Sequence, residues 1–117
     1  MHSVVVDRAS GAAVVTATGE LDAFVAPDLT SAFTAVEGEP RVLADLGGVS
    51  FMDSTALGLL VRATRTLEAA GATFRVVLPR GSARRIFEIT ALERVLPVAE
   101  DRDAALEQLA GANPIGA

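Results

Sequence analysis

Asp53, Ser54 and Thr55 stand directly in front of an apolar helical run in the stretch FMDSTALGLL, residues 51–60. An acid and two hydroxyls in that place suit either helix capping or surface chemistry. As a cap, Ser54 accepts a hydrogen bond from a backbone N–H of the helix it precedes, a contribution of about 1 kcal/mol, and Asp53 can share the task. As a hydrolytic nucleophile, Ser54 would need a G-x-S-x-G elbow and a fixed histidine. Its neighbours are Met52, Asp53, Thr55 and Ala56, and the one histidine, His2, precedes the first expected strand, so no hydrolase is expected. Asp45, near a strand end, resembles a phospho-acceptor of receiver type only superficially. That chemistry needs further carboxylates around Mg²⁺ and usually a lysine, and the chain has no lysine. Asp45 is therefore expected to make hydrogen bonds at the base of its loop. Asp22 and Asp53 lack the histidine or cysteine neighbours of a metal site, and no metal is expected.

The elements that must position these residues follow from periodicity and punctuation. Ser3 to Asp7 and Ala12 to Thr18 are β-branched runs parted by a tight turn, which predicts a hairpin. Pro27 at a first helical position, Leu29, Ala32, Phe33 and Val36 at helical spacing and Gly38 as a stop predict one amphipathic helix. Arg41 to Leu46 reads as a short strand ending at Gly47-Gly48. A second helix begins after Asp53, with Ala56, Leu60, Ala63, Leu67 and Ala70 on its buried face, Arg62 and Arg65 on its solvated face, and Gly71 at its end. Thr73 to Leu78 is a strand, and Pro79 to Ser82, with Ser82 as a cap, leads into a short helix through Ile86 and Phe87. Val95 to Val98 reads as an edge strand weakened by Pro97, and Asp101 as the cap of a last helix carrying Ala105, Leu106 and Leu109. Phe51 and Met52 are both expected to plug the core beneath the loop.

Strands joined by crossover helices run parallel, so the strand ends near Thr18, Leu46 and Leu78 should meet at one sheet edge. Three loops would converge there: residues 19–22, 47–54 and 79–82. In open α/β sheets that carboxyl edge is where sites lie. The expectation is an α/β single domain over residues 1–111, a mixed sheet of four to five strands with an N-terminal antiparallel hairpin and about four helices, followed by a flexible tail over 112–117.

Composition narrows the function. The chain has 117 residues, 50% of them apolar, which suffices for one core. A formal charge of −5 without tryptophan or tyrosine argues against a nucleic-acid surface. The absence of cysteine excludes disulfides and thiolate metal sites and suits a reducing, cytoplasmic setting. The residues after Met1 lack a signal-peptide pattern, and no apolar run is long enough to span a bilayer, so membrane insertion is not expected.

The order of these pieces resembles the STAS domain family, and within it the small stand-alone anti-sigma factor antagonists. VLADLGGVSFMDSTALGLL, residues 42–60, looks like the family's strand, loop and Asp-Ser-Ser/Thr-Gly-Leu helix start. TGELD, residues 18–22, matches the motif after the second strand, and RRIFEITALERVLPV, residues 84–98, resembles the third helix and last strand. The resemblance implies a STAS-like fold and a bacterial regulator without enzyme activity or cofactor. Such a protein binds an anti-sigma factor serine kinase to release a sigma factor, is inactivated when that kinase phosphorylates it, and is reset by a serine phosphatase. The phosphorylated residue would be Ser54, and Asp22, Asp53 and Thr55 would join it in partner binding. Ala56 departs from the family's usual glycine. The alternative of another class is a STAS-type adaptor subunit of a membrane transport complex, without a phosphoswitch.

Overall fold

The computed structural model of the chain describes residues 2–79, 85 and 94–111. Strands β1 (His2–Ala9) and β2 (Ala12–Leu21) form the expected hairpin, in register from His2 opposite Gly19 to Ala9 opposite Ala12. Their link is only Ser10 and Gly11, with φ of 50° and 81°. Two successive positive φ values match the right-handed twist of the flanking strands, and glycine meets this demand without steric cost.

Helix α1 (Ala26–Ala35) follows, then β3 (Arg41–Met52), helix α2 (Ser54–Ala69), β4 (Thr73–Val77), the two-residue β5 (Val98–Ala99) and helix α3 (Arg102–Gly111). The sheet has five strands in the order β1-β2-β3-β4-β5, antiparallel at the hairpin and parallel elsewhere. Among the described residues there are three helices. The fourth, expected through Ile86 and Phe87 after Ser82, lies outside the described residues, as do most of the last loop of the expected edge and residues 112–117.

Period-two alternation divides the core between the two sheet faces. Ala13, Val15 and Ala17 of β2, Val42 and Ala44 of β3 and Phe74 and Val76 of β4 pack with Leu29 and Phe33 of α1 and Leu60 and Leu67 of α2. The intervening Ala12, Val14, Leu43 and Val77 pack with Ala105 and Leu109 of α3 on the other face. The buried stripe of α2 also takes in Leu57 and Thr64, whereas Ala70, expected on that face, is exposed. Ala70 is the C-cap, where the chain turns away through Gly71 at φ 88°. Thr64 is tolerated inside because its hydroxyl donates to the Leu60 carbonyl at 2.9 Å.

Several strand boundaries move, and β2, expected to end near Thr18 before a loop over residues 19–22, runs on to Leu21 in its pairing with β3. The strand expected to stop at Gly47-Gly48 continues to Met52, because the glycines occupy a bulge and do not end the pairing. Between Thr16 opposite Asp45 and Thr18 opposite Gly48, β3 carries one residue more than β2, and again between Gly19 opposite Val49 and Glu20 opposite Phe51. A Cβ on Gly48 would stand 2.9 Å from Thr18 Cγ2, so the close approach at the first bulge requires glycine. Each shift flips the alternation and the two together restore it, so Met52 shares the inward side of Val42, Ala44 and Leu46, with Val49 the inward residue between them. Met52 is 3% exposed and packs beneath α1 and α2, while Phe51, expected in the core with it, is 46% exposed. At the far edge, Val95 is exposed and β5 begins only after Pro97, whose carbonyl accepts the Val76 N–H at 3.0 Å.

Candidate functional site

The extended β2 and β3 end side by side, Leu21 opposite Met52, and deliver Asp22 and Asp53 to the same edge. The Asp53 N–H donates to the Leu21 carbonyl at 3.1 Å, so the start of α2 is tied to the end of β2. Asp53 is itself the N-cap. Its backbone is extended, its Oδ1 accepts the Ala56 N–H at 3.0 Å, and its carbonyl accepts the Leu57 N–H at 3.1 Å. A carboxylate there satisfies a helix-end donor and complements the positive end of the helix dipole. Asp53→Ala is therefore expected to cost about 1 kcal/mol of stability, with Asp53→Asn recovering most of it, as read from urea denaturation midpoints.

The capping role considered for Ser54 thus falls to its neighbour. Ser54 is the first helical residue, exposed, and its hydroxyl has no hydrogen-bond partner among the described residues. Thr55, also exposed, is the second helical residue. Ser54, Thr55 and Gly58 face Ala23, Ala26 and Pro27, from the turn before α1 and its first residues, across an open groove of about 610 Å³. The groove continues past Thr30, Leu59 and Arg62 into a narrower cleft of about 120 Å³ between the two helices, lined by Phe33 and Leu67. Arg62 and Arg65 are exposed as expected, with Arg62 along the groove.

Asp22 holds the turn from which Ala23 and Ala26 line the opposite wall. Its Oδ1 accepts the Phe24 N–H at 2.9 Å, and its carbonyl accepts the N–H groups of Val25 at 3.0 Å and Ala26 at 3.2 Å. This turn leads into α1, whose own N-cap, Val25, offers no side-chain bond. Asp45 behaves as expected at its loop base. One oxygen accepts the Gly47 N–H at 3.0 Å, and the other lies 3.3 Å from Arg102 Nη1, which also reaches Thr16 Oγ1 at 3.4 Å. The first bulge is thereby pinned to the start of α3, an arrangement that periodicity does not reveal because the partners lie 57 and 86 residues from Arg102. Among the described residues, no group of three or more His, Asp or Glu is placed to hold a metal ion, and no helix is long and apolar enough to cross a membrane.

Sequence reasoning passed over Phe24, which is 91% exposed beside the groove. The available signal was an aspartate two residues ahead of an aromatic, with a helix-starting proline soon after.

Comparison with known proteins agrees with this geometry. The STAS domain model matches residues 3–105. The anti-sigma-B factor antagonist of Staphylococcus aureus (strain NCTC 8325 / PS 47) is 33% identical over 84 residues, covering 70% of this chain and 78% of that protein. The crystal structure of an anti-sigma factor antagonist from Mycobacterium paratuberculosis is 32% identical, with a TM-score of 0.83 over 93% of this chain and 94% of that one. The phosphorylated form of the Bacillus cell fate determinant SpoIIAA shares the fold at 21% identity, with a TM-score of 0.67 over 91% of this chain and 98% of that one. A mixed sheet opened by an antiparallel hairpin, a second helix entered through Asp53-Ser54 and a family match across nearly the whole described chain lead to one assignment: the chain belongs to the STAS domain family.

Proposed function

We infer that the chain is an anti-sigma factor antagonist. Unmodified, it binds an anti-sigma factor that is also a serine kinase and so frees a sigma factor; phosphorylation of Ser54 ends that binding. The observation that carries this reading is Ser54 itself, exposed at the first position of α2 with the capping duty taken by Asp53, so that its hydroxyl is free to be modified. The antagonist names of the Staphylococcus and Mycobacterium relatives support the partner class, and SpoIIAA is known in a phosphorylated form.

In the transfer, the Ser54 oxygen attacks the γ-phosphorus of ATP bound to the kinase. The new O–P bond forms as the bond to the β-phosphate oxygen breaks, ADP leaves, and the hydroxyl proton passes to a base on the kinase. The chain acts as ligand and substrate, with no catalysis, metal or cofactor of its own. Asp22, Asp53 and Thr55 belong to the contact surface, a serine phosphatase restores the hydroxyl, and the setting is a bacterial cytoplasm. Ala56 does not obstruct docking: it is 1% exposed and its methyl packs in the core.

Incubation of the purified chain with its candidate anti-sigma kinase and ATP is expected to give one singly phosphorylated species, mapped by tandem mass spectrometry to Ser54. Ser54→Ala should remain unmodified and Thr55→Ala should react normally. Phosphate on another residue, with Ser54 untouched, ends this reading.

A further inference from the structure

Phe24 is 91% exposed while the next residue, Val25, is 2% exposed. A single exposed apolar side chain is ordinary. This one is held on a turn fastened by three hydrogen bonds to Asp22, at its Oδ1 and its carbonyl. It also lies between Ala23 and Ala26, both of which line the groove that contains Ser54. Burying Val25 on so tight a turn leaves the Phe24 ring projecting outward. A ring with two side-chain torsions on a backbone already held in its turn loses little freedom on docking for the apolar area it buries, the property that makes such side chains effective anchors in protein interfaces.

We propose that Phe24 is the aromatic anchor by which the unphosphorylated chain docks on its anti-sigma factor kinase, and that Asp22 is the positioning residue that presents the ring. This rests on the proposed function and gives Asp22 a different role from direct recognition of its charge. The partner site is an apolar pocket rimmed by cationic side chains. Exposed Glu20 and Asp28 and part-exposed Asp53 surround the turn, against Arg62 along the groove, and Asp28 is shared with His2 Nε2 at 3.5 Å. Because the turn that carries the ring and Ser54 flank the same groove, a phosphate on Ser54 alters the approach to the anchor without touching the turn.

The test is calorimetric titration, in ADP, of the kinase that phosphorylates Ser54, using the wild-type chain and variants whose melting curves are recorded alongside. Phe24→Ala is expected to weaken binding about thirtyfold or more at unchanged melting temperature, because the ring is not buried in the free chain. Asp22→Asn, which keeps an Oδ1 acceptor for the turn, should bind within about threefold of wild type, whereas Asp22→Ala should weaken binding about tenfold and add little when combined with Phe24→Ala. Wild-type affinity in Phe24→Ala overturns the anchor, and equal losses in Asp22→Asn and Asp22→Ala overturn the positioning role. In both cases the proposed function stands, because the wild type binds. A wild-type chain that the kinase neither binds nor phosphorylates overturns the proposed function and this inference together.

Discussion

Phosphorylated on Ser54, the chain is expected to bind its anti-sigma factor kinase about a hundredfold more weakly than the unmodified form, with no loss of thermal stability. The two halves of this expectation have separate causes. A phosphoserine brings about −1.5 to −2 charges to an edge that already carries Asp22 and Asp53. It also adds bulk at the mouth of the groove that Ser54 lines. Opposite Ser54 stand the phosphates of the nucleotide that the kinase holds; opposed like charges at an interface cost several kcal/mol, and about 2.7 kcal/mol suffices for a hundredfold change in affinity. Within the domain the same group sits at the positive end of α2, where an anion is favoured by about 0.3–1 kcal/mol, so the helix does not unravel. Calorimetry of the two forms in ADP, repeated at higher salt, checks both points, since screening should narrow an electrostatic gap. Ser54→Asp, with one charge where phosphate has nearly two, should lose about tenfold by the same conversion. Affinities that agree within twofold for the modified and unmodified chains would sink the switch.

The path from sequence to this site was readable where local chemistry decides. Ser10-Gly11 forces its turn whatever surrounds it, and Asp101 caps α3 as expected, accepting the Ala104 N–H at 2.8 Å. The stripe of α1 through Leu29, Ala32, Phe33 and Val36 is buried as its spacing predicts. Reading failed where a distant strand overrides local preference. Gly47 and Gly48 punctuate a sequence like a stop, yet β2 lies close enough to continue the ladder through two bulges, and on the strand so extended Met52 faces the core while Phe51 beside it faces out. Asp53 and Ser54 were both plausible caps, and the choice depended on the Asp53 N–H reaching across to Leu21, a tertiary contact. Exposure of Phe24 was hidden for the same reason: apolar residue type predicts burial, and only the turn built by Asp22 decides which of Phe24 and Val25 goes in.

Phe74→Ala is expected to be the most damaging single truncation for stability, about 3–5 kcal/mol, in a domain whose class spans about 5–15 kcal/mol in total. Phe74 is 0% exposed in β4, flanked by β3 and β5, and its ring meets Phe33 of α1 edge to face at 6.3 Å and 80°. Alanine there leaves a void under α1 and removes the ring pair, itself worth about 0.5–1.5 kcal/mol beyond buried area. At about 4–8 °C per kcal/mol for a domain near this size, the melting temperature should fall by more than about 12 °C. Phe74→Leu, which refills most of the void, should fall much less. Phosphorylation of Ser54 should nevertheless proceed at the wild-type rate at temperatures where Phe74→Ala is folded. Phe74 pairs with Val42, near the start of β3, whereas Ser54 follows its end at Met52, roughly 30 Å away at ~3.3 Å per residue. A drop of only a few degrees would mean that the core closes around the missing ring. A slowed phosphorylation in the folded variant would mean that the groove depends on the α1 contact at its far end.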